Sequence, residues 1–417
     1  MNEDFDVVII GAGPAGLFCT INCAGNGARV CILEKNARPG KKLLITGSGQ
    51  CNITHEGPVK EFLAHYGDKA NFVKPALYGF TNEDLTRFFA ARNLQMTADD
   101  NGKLFPESRR AADVLNMLLE ECRAKGVEIR TDEPVQEIGK FPGGFLIRTE
   151  KSQYRARFAV ITTGGKSYPG TGSTGDGYGL AAALGHSIAE PAPALVPLAI
   201  EDYRLSRCSG ISLPGCAVGH YRNGKRIGLW KGDVLFTHTG LSGPAILDNS
   251  RYVLPGDELK LALVAFESAG DFDRDLVARL SVHGRKTVKN VLGVYGVPDR
   301  LAVEALESTG IAPDTVFSRL DRESRKIMAR SFTGFPFRVR RAGSFNEAMA
   351  TRGGVALVEI SGRTMESKKA DGLFFAGEVV DVDGDTGGYN LQWAISSGCI
   401  AGRSIARLMD KKSSVRD

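Results

Sequence analysis

No two of the eight cysteines in this 417-residue chain stand at C-x-x-C or C-x-x-x-x-C spacing, and no Cys/His group has the spacing of zinc ligands. This excludes a dithiol redox centre and a zinc module. Long apolar runs are also missing. The run that follows the acidic residues 1–6 is too short to span a bilayer and does not form a signal peptide. The expectation is a cytoplasmic protein with reduced thiols, in which the Asn52-Ile53-Thr54 sequon carries no glycan. Net charge is modest: 53 Lys and Arg against 48 Asp and Glu leave +5, which by itself argues for neither nucleic acid nor a membrane surface. There is no internal repeat or low-complexity tract.

Glycine is abundant. The 50 glycines fall in a few clusters, which points to loops that take positive φ or admit a ligand closely. With 42% apolar and 24% charged residues the chain reads as globular, and at roughly 150 residues per domain it has room for two or three domains.

The first cluster sits in a specific context. Residues 5–10, FDVVII, make a β-rich apolar run that leads into Gly11-Ala12-Gly13-Pro14-Ala15-Gly16 and then a helical segment reaching Gly25. Strand, tight turn and helix are what the G-x-G-x-x-G fingerprint requires. Gly11 makes the turn, Gly13 lets a pyrophosphate reach the backbone, and Gly16 lets the helix pack on the strand. The helix opening at Pro14 and Ala15 then points its N-terminus at the phosphates. A second strand, 29–33, ends at Glu34, 18 residues after Gly16, where a carboxylate can accept from both ribose hydroxyls.

The continuation separates FAD from NAD. Residues 35–52, KNARPGKKLLITGSGQCN, form a Gly-rich segment rather than the next βα unit, as in glutathione-reductase-type flavoproteins, where it lies along the diphosphate and flavin. Near the other end, 373–378 reads as a buried strand closing on Gly377-Glu378. A loop, VVDVDGDTGG, follows it, and then a helix from about Tyr389 with Leu391, Ile395, Gly398, Gly402, Ile405 and Met409 on one face. A helix N-terminus aimed at the flavin pyrimidine would stabilise negative charge there. The start of the loop, Asp381-Val382-Asp383-Gly384-Asp385, imitates a calcium loop. Thr386 and Gln392 stand where Gly and Glu belong, so these acids read as helix-start and ribityl-bonding groups and no metal is expected.

These motifs carry a resemblance to a known family. GAGPAG at 11–16, GKKLLITGSGQCN at 40–52, GKLFPESRRAADV at 102–114, TTGGKSYPGTGSTGDGYGLAAALGH at 162–186, LFTHTGLSGPAIL at 235–247 and GLFFAGEVVDVDGDTGGYNLQWAISSG at 372–398 together resemble the bacterial BaiN-like (YhiN-like) NAD(P)/FAD-dependent oxidoreductases, some members of which are labelled aminoacetone oxidases. Two positions depart from the family pattern: Gln50 stands where relatives have Arg, and Arg352 where they often have a small residue.

The resemblance and the residue reading imply one fold class, α/β, with a discontinuous glutathione-reductase-type Rossmann FAD domain and an inserted small β-barrel and helical subdomain. The expected FAD-binding parts are 1–190 and 342–417, with an inserted substrate domain at 191–341, barrel about 191–268 and helical about 269–335. The expected cofactor contacts are Gly11, Gly13, Pro14, Ala15, Gly16, Glu34, Lys35, Lys41, Lys42, Leu43, Thr46, Gly49, Cys51, Asn52, Val135, Thr163, Gly164, Gly165, Gly377, Glu378, Asp385, Gly388, Tyr389, Asn390 and Leu391. A second G-x-G-x-x-G at 170–175 has no strand before it, so NAD(P)H is expected only as a transient electron donor.

For chemistry, His238 in FTHTGLSGP is the candidate proton donor to a substrate reduced at flavin N5. Cys51 lacks a partner thiol and is read as structural or flavin-contacting. The expected activity is hydride exchange between FAD and a small or medium organic substrate, as in reduction of an activated C=C bond. The alternatives are a flavin amine oxidase and an RNA-associated, tRNA-modifying flavoprotein. The basic run Arg322, Arg325, Lys326, Arg330, Arg338, Arg340 and Arg341 is the support for the last, although it reads first as a solvated face, and nucleic acid is not the expected partner.

Overall fold

The computed structural model describes residues 2–25 and 27–413. The chain divides into two compact units, Met1–Ala194 with Ala348–Asp417, and Leu195–Glu347.

The first unit is built on a seven-stranded sheet. Strand β1 (Asn2–Ile10) runs into helix α1 (Pro14–Cys23) and returns as β2 (Val30–Leu33), parallel to β1 with Val7 opposite Val30 and Ile10 opposite Leu33. On the other side of β1 lies Gln153–Ile161, also parallel, and Leu373–Phe375 joins that strand in parallel from the far end of the sequence. Val7, Val8 and Ile9 are wholly buried, as expected for parallel strands covered on both faces.

The long helix Tyr389–Ser413 packs on α1 through two glycines. A Cβ at Gly398 would lie 2.3 Å from the Ala15 carbonyl oxygen and one at Gly402 2.3 Å from that of Cys19, so only glycine allows the helices this close. Ile395 and Ile405, on the face expected from the periodicity, are fully buried beside them.

The second unit contains a closed six-stranded barrel, in the order Leu198–Ile200, Gly240–Ser242, Lys225–Phe236, Ser212–Arg222, Glu258–Leu261, Phe335–Ala342 and back to the first. Helices lie between the last two strands, among them Ala269–Ala278, Asp299–Ser308 and Arg322–Thr333. The closing strand therefore comes after the helices, not before them. Its sequence, FPFRVRRA, alternates Phe335, Phe337 and Val339 inward with Pro336, Arg338 and Arg340 outward. Its arginines mask the period-two pattern when they are read as a charge run.

The unit boundaries fall at Ala194/Leu195 and Glu347/Ala348, both a few residues C-terminal to the expected insertion limits of 191 and 341. Strands Ile188–Ala194 and Ala350–Val355 pair antiparallel with each other, Ile188 opposite Val355 and Ala194 opposite Ala350, which ties both to the first unit.

Candidate cofactor cleft

The turn between β1 and α1 is shaped by backbone demands. Gly11 has φ 106°, and a Cβ there would stand 2.7 Å from the Thr162 carbonyl oxygen; one at Gly16 would strike the Gly11 carbonyl oxygen. Helix α1 has Gly13 as its N-cap, with no side-chain cap and no acid in the first turn, so its leading N–H groups are not satisfied by the protein's side chains. A Cβ on Gly13 would meet nothing within 4 Å. Unspent donors facing open space fit the diphosphate of a dinucleotide.

Around this turn lies a cleft of about 1250 Å³, part of it open to solvent. Of the expected contacts, Gly11, Gly13, Pro14, Ala15, Glu34, Lys35, Lys41, Lys42, Leu43, Thr46, Val135, Thr163, Gly164, Gly377, Glu378, Asn390 and Leu391 line it. Glu34 Oε2 accepts from the Ala12 N–H at 3.0 Å, while Oε1 accepts from the Asn36 N–H at 2.8 Å and from Asn36 Nδ2 at 2.6 Å. The carboxylate thus fastens the phosphate loop to the end of β2, and one of its four acceptor sites, on Oε2, is left over. Asn36, which also accepts from Lys41 Nζ at 3.1 Å, was missed in the sequence reading, as were Met349, Val382 and Trp393 on the cleft wall. Asn36, Val382 and Trp393 lie inside segments the sequence singles out and Met349 outside them, but which of their residues face the cleft is set by the fold.

At Glu378 four chain segments meet. Lys42 Nζ lies 2.5 Å from Glu378 Oε2 and also donates to Ser167 Oγ. Glu378 Oε1 accepts from Ser167 Oγ at 2.7 Å and from the Thr351 N–H at 2.8 Å. Burial pushes the Glu378 carboxyl up, but the Lys42 charge and these hydrogen bonds outweigh it and hold the group below its ordinary value. A Cβ on Gly165 would fall 2.4 Å from Thr351 Oγ1 and 2.9 Å from Glu378, so this glycine makes room for the network.

Other expected contacts lie off the cleft wall. Gly16 is packed beneath the turn. Gly49, Cys51 and Asn52 belong to a left-handed turn in which Gly47, Ser48, Gly49 and Cys51 have φ of 55°, 56°, 88° and 62°. The glycines of this turn serve its curvature. The Cys51 N–H donates to the Thr46 carbonyl oxygen at 2.9 Å, and the thiol is wholly buried and pushed up to about 12 by that burial, against a smaller opposing hydrogen bond with Thr46.

Asp385, Gly388 and Tyr389 secure the start of the C-terminal helix. The Asp385 N–H donates to the His65 carbonyl oxygen at 3.0 Å, and its Oδ2 meets His65 Nδ1 at 3.1 Å. The Tyr389 ring stacks on His65 with centroids 3.9 Å apart, and a Cβ on Gly388 would lie 2.7 Å from the Thr54 backbone. In the second unit, His238 is exposed on the turn between Lys225–Phe236 and Gly240–Ser242.

A sheet with parallel strands at its centre, an uncapped helix over an open glycine, an acid at the end of β2 and a C-terminal helix returning to the same cleft belong to an FAD-dependent oxidoreductase with a Rossmann-type FAD-binding domain. The chain belongs to the HI0933-like protein Rossmann domain family, whose model matches residues 5–404. It is 33% identical to the ribosomal RNA dihydrouridine synthase of Escherichia coli K12, covering 95% of this chain and 96% of that protein. It is 31% identical to the 3-dehydro-bile acid delta(4,6)-reductase of Clostridium scindens, covering 95% and 98%. Among solved structures, the 3-ketosteroid-delta4-(5alpha)-dehydrogenase of Rhodococcus jostii RHA1 shares the fold at 16% identity, with a TM-score of 0.55 over 97% of each chain. Among the described residues, no helix is long and apolar enough to cross a membrane.

Proposed function

We propose that this protein reduces a carbon–carbon double bond conjugated to a carbonyl. The observation that carries this reading is an agreement between relatives matched end to end. One is named for dihydrouridine formation in ribosomal RNA and one for a bile acid delta(4,6)-reduction, and the two outcomes share saturation of a conjugated C=C bond.

FAD, when bound, supplies hydride chemistry at the substrate, and NAD(P)H is the proposed transient donor of electrons. The chain's own residues hold and orient. The α1 N-terminus and Gly13 receive the diphosphate. Glu34, steadied by Ala12 and Asn36, receives the ribose, and the Lys42–Glu378 pair fixes the wall between them and the C-terminal helix. His238 is the proposed proton donor to the carbon that does not receive hydride.

A second reading places the conjugated bond in a uracil ring of RNA, and the charge distribution favours it. The unit Leu195–Glu347 holds 22 Lys and Arg against 17 Asp and Glu, so it carries all of the chain's +5. The test is to reduce the purified flavoprotein anaerobically with NADH or NADPH and mix it with a cyclic enone or with uridine-containing RNA. Return of the oxidised-flavin absorbance with formation of the saturated product is expected. Reduced flavin that persists with both substrates overturns the proposal.

A further inference from the structure

In the second unit the barrel's outer surface is uneven. Strand Lys225–Phe236 pairs with Ser212–Arg222 along its length but with Gly240–Ser242 only at Leu235 and Phe236, so the other edge of 225–231 meets no strand among the described residues. Lys225, Arg226 and Lys231 are exposed there and have no ion pair or side-chain hydrogen bond among the described residues. Ile227 and Leu229 between them are 51% and 64% exposed.

Lysines along an open edge guard against edge-to-edge pairing, and that role alone would place cations only on this strand. The register shows more. Leu229 lies opposite Gly219, Gly219 opposite Lys260, and Lys260 opposite Pro336; in the next row Arg226 lies opposite Tyr221, Tyr221 opposite Glu258, and Glu258 opposite Arg338. One outward face of four strands thus presents Arg226, Lys231, Lys260 and Arg338 around the apolar surface of Leu229 and Tyr221. Lys260 Nζ stands 4.7 Å above the Tyr221 ring. Glu258 and Glu201 temper Lys260 and Arg338, at 3.5 Å and 3.1 Å. Arg226 and Lys231 on this face, and Lys225 at the hairpin end beside it, are left to meet an outside anion.

We propose that this face docks RNA, phosphates on Arg226 and Lys231 with Lys225 at its hairpin rim, and bases against Tyr221 and Leu229. The assignment deepens the proposed reduction and rests on it for the identity of the substrate, since RNA would then be what presents the conjugated ring. Charge complementarity selects the partner: the excess of cations is confined to this unit, and an apolar platform ringed by cations suits stacked bases on a phosphate backbone.

The test uses the full-length holoprotein and a labelled stem-loop RNA of mixed sequence across a range of salt. Wild type is expected to bind with an affinity that falls as salt rises. K225E/R226E/K231E is expected to bind about tenfold more weakly or worse, with the salt slope reduced by about two to three. The charge-neutral K225Q/R226Q/K231Q should fall between them, and flavin content, melting temperature and reduction of a free cyclic enone should match wild type in both. Wild-type protein without salt-dependent RNA binding, or reversed protein that binds RNA like wild type, overturns the proposal. So does binding to phosphatidylserine vesicles but not to RNA. Wild-type protein that binds RNA in this way and reduces neither the enone nor the uridine-containing RNA supports the docking face while counting against the reading of the cleft.

Discussion

The two units of the chain treat charge differently. The unit Met1–Ala194 with Ala348–Asp417 has 31 cations and 31 anions, while Leu195–Glu347 has 22 and 17. In the first, charged groups at the cleft are spent on each other: Lys42 on Glu378 and Lys35 on Asp176, both at 2.5 Å. The phosphates of a dinucleotide would meet backbone N–H groups there, fixed in place and indifferent to salt compared with free side chains. In the second, exposed cations stand without partners on a barrel face. A permanent cofactor is thus suited by backbone geometry in a neutral frame, and a transient polyanion by mobile side-chain charge.

If this division of labour holds, the largest effect should come from the second unit without any loss of cofactor. His238→Ala should leave reduction of the flavin by its donor nearly unchanged and slow the substrate half-reaction by roughly 10² to 10⁴, as for a missing general acid. Rapid mixing times the two steps separately. Equal rates in mutant and wild type would make His238 a surface residue and move the proton source elsewhere.

The next effect belongs to the first unit and concerns the cofactor frame. Lys42→Met removes the charge that holds Glu378 ionised, and leaving a partly buried carboxylate unpaired should cost up to about 3 kcal/mol, seen as a lower melting temperature and faster flavin loss. The pH dependence has a definite sign. Because the Glu378 carboxyl is held below its ordinary value in the folded protein, its contribution is complete above the unfolded value near 4.5 and is lost as pH falls toward the folded one. In Glu378→Gln that part of the acid sensitivity should disappear. An unchanged acid-unfolding profile would show that the pair contributes little.

A loss of comparable size is expected at Glu34. Its carboxylate spends one lone pair on Ala12 and others on Asn36, so Glu34→Ala removes loop ties as well as ribose acceptors. Each charge-assisted bond is worth roughly 1.5 to 3 kcal/mol before relaxation. The flavin dissociation constant measures the sum, and full occupancy at wild-type affinity would remove Glu34 from the set of cofactor residues.

Contiguous motifs with strong backbone requirements were legible in the sequence. GAGPAG needs a strand before it and a helix after it, Glu34 follows at the length of one βαβ return, and the C-terminal face from Ile395 to Ile405 shows helical periodicity. What stayed hidden depends on contacts remote in sequence. Asn36 and Trp393 line the cleft only because the fold closes there, and the strand Phe335–Ala342 was obscured because its outward residues are arginines. Glycine was ambiguous: at 13 it leaves open space, whereas at 47, 49, 165 and 388 it serves a turn or a close contact with neighbouring protein atoms. Sequence alone presents these alike.

Cys51 tests that ambiguity at the smallest scale. It stands among glycines beside the cleft, where a nucleophile would be placed, yet its side chain is wholly buried, the residue is off the cleft wall, and burial pushes the thiol up to about 12, so it stays protonated at neutral pH. The residue's firm tie is its backbone N–H to Thr46, which any residue able to hold φ 62° would keep. Cys51→Ser should therefore retain full flavin occupancy and turnover within about twofold, with a stability change of about 1 kcal/mol or less from burying a hydroxyl in place of a thiol. Native protein should also react slowly with iodoacetamide at this position. Loss of turnover with flavin still bound would mean that a covalent step passes through this sulfur, and that the cleft wall includes the turn at 46–51 during catalysis.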